Sequence, residues 1–310
     1  AMHKVDQPLA DRMVAESFDQ GVNYFNTADV YAQGASEIML AKALGNRRAD
    51  AAICTKVGLR NGRGVLHQGL SRRHILGSVE ASLRRLQTDW IDVLTLHCPD
   101  PHAPLDEILD AVQQLIQSGK VRYVGVSNWP AWVMAKAVAM QKARHWVPFQ
   151  AAEVYYNLLT RDVEHELVPM ALDAGIGLQP WSPLAGGALS GRTSAAQLRQ
   201  ESGPVSNYSF LPIDRGHVAN VVAAMEGVAS RTGATISQVA LAWLMEKSAV
   251  SSVIIGPSRM DQLQDNLAAA RVELSAKDRA ILDEVTGPPL LYPGWYGAKF
   301  ADPIVRDALK

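Results

Sequence analysis

Cysteine is nearly absent: only Cys54 and Cys98 occur in 310 residues, in no Cys-x-x-Cys or Cys/His metal spacing. Two distant thiols make no disulfide framework, so a reducing compartment is the simpler reading, and no metal ligation is expected. Both thiols are expected to be inert packing. An excess of either charge is missing too, with 30 Lys and Arg against 31 Asp and Glu and a formal net charge of −1. That balance argues against a nucleic-acid or membrane-surface partner, although it leaves room for a local basic pocket. No apolar run approaches the ~18–20 residues of a spanning helix, and the first residues carry no signal-peptide pattern. The expectation is a soluble, cytoplasmic protein. What is present is ordinary globular composition, 48% hydrophobic and 20% charged, at a length that supports one sizeable core.

The organisation is alternating. Asp6-Gln7-Pro8 is a helix start, with Ala10, Met13, Val14 and Phe18 on one face and Gly21 as the stop. A short apolar run at 22–26 follows as a buried strand. The cycle then recurs, with strands expected at 51–56, 91–96, 122–126, 149–153, 175–179 and 252–255. The intervening helices fall near 36–44, 71–86, 105–118, from 132, 163–174, 218–232, 236–247 and from 260. Apolar strands, each separated by one helix, indicate a parallel sheet buried on both faces.

Seven strands are one short of a closed (β/α)₈ TIM barrel, and the chain begins on a helix. The economical reading is that barrel with its first strand absent from the sequence. The rival, a doubly wound open sheet, usually carries a Gly-rich phosphate turn after its first strand. No Gly-x-Gly-x-x-Gly follows residue 26, so the barrel is favoured. Residues 1–310 are expected to form one domain, including a Gly/Ser/Pro-rich loop at 182–215 and a tail at 272–310.

Barrel strands gather chemistry at their C-terminal ends. Those ends supply Asn26 with Tyr31 just beyond, Lys56, His97, Ser127 and Asn128, Gln150, Trp181 and the run Gly256-Pro-Ser-Arg259. A phenol is a poor acid near neutrality, but a neighbouring ammonium favours the phenolate, and a histidine can orient a carbonyl oxygen. There is no evident nucleophile and no carboxylate pair of the glycosidase kind. Hydride transfer with a separate cofactor suits the assembly.

At this point the motifs resemble a known family. Val22-Asn-Tyr-Phe-Asn-Thr-Ala-Asp-Val-Tyr31, Ile53-Cys-Thr-Lys56, Leu94-Thr-Leu-His97, Gly125-Val-Ser-Asn128 and Gly256-Pro-Ser-Arg-Met-Asp-Gln-Leu-Gln-Asp-Asn266 are similar, in order and spacing, to the aldo-keto reductases. The resemblance covers nearly the whole chain. It implies a (β/α)₈ barrel that binds NADP(H) without a Rossmann motif and reduces an aldehyde or ketone to an alcohol, reversibly. It assigns the catalytic tyrosine, lysine and histidine to Tyr31, Lys56 and His97. The nicotinamide carboxamide falls to Ser127, Asn128 and Gln150, and the stacking ring to Trp181. The loop from Ser182 through Leu184, Gly186, Gly187 and Gly191 resembles a pyrophosphate belt, whose glycines permit close backbone approach. Gly256, Ser258 and Arg259 match the 2′-phosphate end, with Gln262 and Asn266 near the adenosine.

The sequence departs from the family pattern at Asn26, where an aspartate is normal; Asp29 is not its substitute by register. Asparagine can hydrogen-bond Lys56 but brings no charge, so a lower lysine pKa is expected. Trp129, Trp132, Trp295 and Tyr296 either line a substrate pocket or pack, and the sequence does not choose. The expected partner is a small carbonyl or alcohol substrate, with the oligomeric state unread. The alternative function is a cofactor-binding regulatory subunit with little turnover.

Overall fold

Six parallel strands lie side by side in sequence order in the computed structural model, which describes residues 5–200, 205–207, 209–211, 213–300 and 302–308. They are β1 Tyr24–Asn26, β2 Ala52–Val57, β3 Ile91–Leu96, β4 Val121–Ser127, β5 Ala151–Tyr155 and β6 Gly177–Trp181. Helix α1 Gln7–Asp19 precedes them, and α2 Ala35–Leu44, α3 Arg72–Leu86, α4 Leu105–Gln117, α5 Ala131–Ala143 and α6 Leu167–Ala174 fill the crossovers. Beyond β6 come α7 Ala195–Gln200, α8 Arg215–Thr232, α9 Ile236–Met245, α10 Met260–Ala268, α11 Ala276–Thr286, α12 Gly294–Phe300 and α13 Pro303–Ala308. Consecutive parallel strands joined by helices curl the sheet as in a (β/α)₈ barrel.

Local chemistry sets the ends of these elements. Asp6 caps α1 by accepting from the Leu9 amide, with Pro8 in the first turn. Thr235 and Gln238 form a reciprocal capping box at α9. Gly175 takes a left-handed conformation at the end of α6, φ 72°, which uses up residues that a purely apolar reading gives to the next strand. Hence β6 starts at Gly177, two residues later than expected, and β5 is likewise displaced from 149–153 to Ala151–Tyr155. Pro169 in the first turn of α6 explains why the expected helix from 163 is a short 3₁₀ turn, Asp162–Glu164, and then a separate helix.

The seventh expected strand is present as extended chain rather than a full ladder. Leu178 N–H donates to Ala249 O at 2.7 Å, Ser251 N–H to Leu178 O at 2.9 Å and Ile254 N–H to Pro180 O at 3.0 Å. Among the described residues no strand lies between this segment and β1. Tyr24 spans that side of the interior, its hydroxyl donating to Gln179 Oε1 at 3.2 Å. Outside, α1 meets α10, and Arg271 donates to Gln20 Oε1 at 2.8 Å.

The strands alternate in a way the apolar runs conceal. Ile53, Val57, Leu94, Leu96, Val124, Val126, Val154 and Leu178 belong to the hydrophobic core. The intervening inward positions, Asn26, Cys54, Lys56, Thr95 and Glu153, are polar and bonded to one another. Gly125 is needed on this inner face, because a Cβ there would meet Ala151 O at 2.9 Å. A second buried polar knot ties α2 to the sheet: Glu37 accepts from Thr55 Oγ1 at 2.6 Å and from Arg85 Nε of α3 at 2.5 Å. Removing one partner of so buried a pair costs ~3–5 kcal/mol. None of the described helices is long and apolar enough to cross a membrane.

Candidate active site

Parallel register brings the polar residues to one end of the sheet. Asn26 pairs with Cys54, Lys56 with Thr95, Ser127 with Glu153, and Tyr155 with Trp181. The catalytic candidates of the sequence therefore do meet. Tyr31 stands on the tight 3₁₀ turn Tyr31–Gly34 after β1, where Ala32 and Gln33 are held at φ 48° and 57°. Left-handed non-glycine residues cost free energy and persist where surrounding structure holds them. Gly34 lets that turn approach Arg85, since a Cβ would come within 2.8 Å of Arg85 Cδ.

Lys56 Nζ lies 5.4 Å from the Tyr31 ring centroid, and the His97 ring meets the Tyr31 ring edge-on at 5.8 Å. The Lys56 side chain is 1% exposed. Its ammonium donates to Asn26 Oδ1 and to Thr27 O at 2.9 Å, and it lies 3.2 Å from Glu153 Oε1. Burial opposes the charged form, but Cys54, the Glu153 carboxylate and Tyr31 outweigh it and hold Lys56 above the usual lysine value. The expected fall in the lysine pKa is thereby corrected: Asn26 brings no charge, but Cys54 and then the Glu153 carboxylate hold the ammonium in its charged form. His97 is pushed down to about 3, first by burial and then by Lys56, so it acts as a neutral imidazole. Its Nδ1 is buried without a hydrogen-bond partner. Burial pushes the Cys54 thiol up to about 11, and its Sγ contacts Thr95 Oγ1 and Glu153 Oε1.

The nicotinamide-end candidates are partly assembled. Asn128 adopts φ 60° and its amide donates to Ser127 Oγ at 2.9 Å, while Trp181 Nε1 donates to Asn128 Oδ1 at 2.9 Å. Gln150 is not among them. It is exposed, precedes β5 at the opposite end of the strand, and donates to Pro148 O at 3.0 Å. The belt bends sharply after β6: Ser182 has φ 51°, its Oγ accepts from the Gly186 amide at 2.8 Å, and Leu184 packs against the core. Gly186 and Gly191 both take positive φ, 63° and 70°. Farther along, Gln262 Oε1 accepts from the Ser258 amide at 3.1 Å, at the start of the α10 that carries Asn266. Arg259 is already engaged, its fork on Asp261 at 3.0 and 2.9 Å. Gly256 has open space around its α-carbon. Trp129 is core, edge-on to Phe149, whereas Trp132, Trp295 and Tyr296 are exposed.

Glu153 is the residue that reading the sequence missed. An ionisable side chain inside an apolar strand run is the signal that could have found it, since such groups are almost never buried unless paired.

A phenol, a buried ammonium and a neutral imidazole at one end of a parallel barrel define an acid–base site suited to a carbonyl group. The family description "Aldo/keto reductase family" matches residues 2–286, and the chain belongs to that family of oxidoreductases. It is 33% identical over 297 residues to an aldo-keto reductase of Fusarium vanettenii, covering 88% of this chain and 80% of that protein. It is also 37% identical over 262 residues to a probable voltage-gated potassium channel subunit beta of Arabidopsis thaliana, covering 82% of this chain and 79% of that protein. Members of the family use nicotinamide cofactors. The groups here fit one: a hydroxyl and an amide side by side at the end of β4, an indole at the end of β6, and glycine turns at positive φ after β6.

Proposed function

We propose that the protein reduces an aldehyde or ketone to an alcohol, reversibly, with NADPH and with Tyr31 as the proton donor. The observation that carries this reading is the convergence of Tyr31, Lys56 and His97 at successive strand ends. Bound NADPH would supply the hydride. The Tyr31 hydroxyl gives its proton to the carbonyl oxygen, and the Lys56 ammonium stabilises the phenolate that remains. His97, neutral through the working pH range, hydrogen-bonds the same oxygen and orients it. Ser127, Asn128 and Trp181 hold the nicotinamide end; the belt at Ser182, Leu184, Gly186 and Gly191 holds the pyrophosphate. Gly256, Ser258, Arg259, Gln262 and Asn266 meet the adenosine end, and Arg259 favours the 2′-phosphate.

The test is NADPH and NADH oxidation, followed by absorbance, against a panel of aldehydes and ketones. Steady turnover that prefers NADPH is expected, and cofactor binding without turnover of any carbonyl overturns the reading. The likeness to a probable channel subunit favours a second reading, a cofactor-binding regulatory subunit. Binding without turnover is what that reading expects.

A further inference from the structure

Lys56 has three ammonium protons and three acceptors around it: Asn26 Oδ1, Thr27 O and Glu153 Oε1. Of these only Glu153 is acidic. Asn26 and Glu153 are 127 positions apart, yet the Asn26 amide donates to Glu153 Oε1 at 2.8 Å. We propose that Glu153 is a positioning residue that supplies from β5 the counter-charge the family pattern puts at position 26, so that Asn26 and Glu153 form an exchanged pair around Lys56. The link to turnover rests on the reductase reading, while the charge exchange itself does not.

The geometry makes the two positions interdependent. Asn26 uses its carbonyl oxygen on Lys56, which leaves its amide nitrogen for the Glu153 oxygen. Asparagine is suited to that bridge because it offers an acceptor and a donor on one short side chain. An aspartate at 26 beside Glu153 would set two carboxylates at hydrogen-bond separation, where one must hold a proton. A glutamine at 153 beside Asn26 would leave the buried ammonium without a carboxylate, with only the weakly acidic Cys54 and Tyr31 beside it. The groups around Lys56 support this count. Cys54, Tyr31 and His97 face it from β2, from the turn after β1 and from the end of β3. Tyr24 of β1 faces Cys54 and Glu153, and burial holds its phenol far above the usual range. Among these groups Glu153 alone is a carboxylic acid, and its side chain is 4% exposed, so solvent does little to screen it.

A merely structural glutamate would contribute packing and hydrogen bonds, which glutamine largely retains. A counter-charge is different, because it changes where Lys56 titrates. Four full-length proteins decide between them: the parent, Glu153→Gln, Asn26→Asp and the double variant. The readout is the titration of the Lys56 ammonium by nitrogen-15 NMR, assigned with Lys56→Arg, and it needs no turnover. Glu153→Gln is expected to lower the Lys56 pKa by about one unit or more, and the double variant to return it close to the parent. Asn26→Asp alone should show a new carboxyl group titrating well above the ordinary aspartate value. An unchanged Lys56 titration in Glu153→Gln, or a double variant no closer to the parent than Glu153→Gln, overturns the proposal. If Glu153→Gln fails to fold, a folded double variant supports the exchange and an unfolded one overturns it. The alkaline limb of kcat/KM for NADPH-dependent reduction, measured beside this, should move with Lys56. Four expected titrations with no turnover in any protein would leave the exchanged pair standing and remove the reductase reading.

Discussion

The two ends of the proposed cofactor track hold charge in opposite ways. Around Lys56 and Glu153 water is excluded, with side chains 1% and 4% exposed, and every polar contact comes from a sheet residue or the turn that follows it. Around Arg259 and Asp261 the side chains are 62% and 68% exposed, and the two partners sit two residues apart at the start of α10. A charge change at the first end meets a low dielectric and fixed partners. At the second it meets solvent and mobile ions. Substitutions at the buried end should therefore alter chemistry and pH response strongly, and those at the exposed end only tune affinity.

The largest effect expected is on the proton donor. Tyr31→Phe should lower kcat by ~10²–10⁴-fold while leaving the dissociation constant for NADPH, measured by fluorescence quenching, nearly unchanged. Parent-like turnover with chemistry shown to be rate-limiting would remove Tyr31 from that role and blur the contrast between the two ends.

A pair of buried groups sharpens the contrast through pH. His97 titrates near 3 in the folded chain, against about 6.5 unfolded. The unfolded chain therefore binds more protons in that window, and stability falls as pH drops through it, by at most ~1.4 kcal/mol per pH unit. His97→Asn should flatten that acid slope in denaturant titrations, and an unaltered slope would show that His97 is not held neutral.

Asp29 slopes the other way. It is buried, its Oδ1 has no hydrogen-bond partner, and burial raises it from 3.8 to about 6, against the donation from Asn61. The folded chain binds the extra proton here, so stability falls as pH rises from about 4 to about 6 and stays lower above. Asp29→Asn should stabilise the protein at pH 7.5, on the order of 2 kcal/mol, and steepen the acid slope to which His97 contributes. A destabilised variant at pH 7.5 contradicts this.

The smallest effect belongs to the exposed end. An Asp261 carboxylate competes with a phosphate for the Arg259 fork. Asp261→Asn should raise the NADPH-over-NADH preference about two- to five-fold, and Arg259→Ala should reduce it, both effects shrinking with added salt. Equal cofactor affinities in all three proteins would show that this end makes no distinction.

Much of this was legible in the chain. Asp6 announces the first helix by side-chain capping, a property of a few neighbouring residues, whereas the cap at Asp214 starts α8 at Arg215, three residues before the expected 218. The order of strands and helices follows from apolar runs and their spacing, and Tyr31, Lys56 and His97 lie close to the ends of those runs. The errors concern register. Gly175 ends α6 in a left-handed turn and Pro169 begins it, and both shift where the adjoining chain can be extended. Gln150 looked like a site residue, yet it lies one residue before β5 begins and so belongs to the other end of the barrel.

What the amino-acid order determined by itself is the set of groups and the alternation that carries them: that helices and strands alternate, that the strands are parallel, and that a phenol, an ammonium and an imidazole come after successive strands. Those features are local, set by caps, periodicity and the length of each crossover. Which group sits against which was decided only by the tertiary structure. Asn26 looks like a lost charge until β1 and β5 curl round one interior and bring Glu153 to within 3.2 Å of Lys56. Arg259 looks like a free cation until the start of α10 turns Asp261 onto it. Electrostatic energy depends on distance and on exclusion of water, and both come into being only when the sheet closes its partners together.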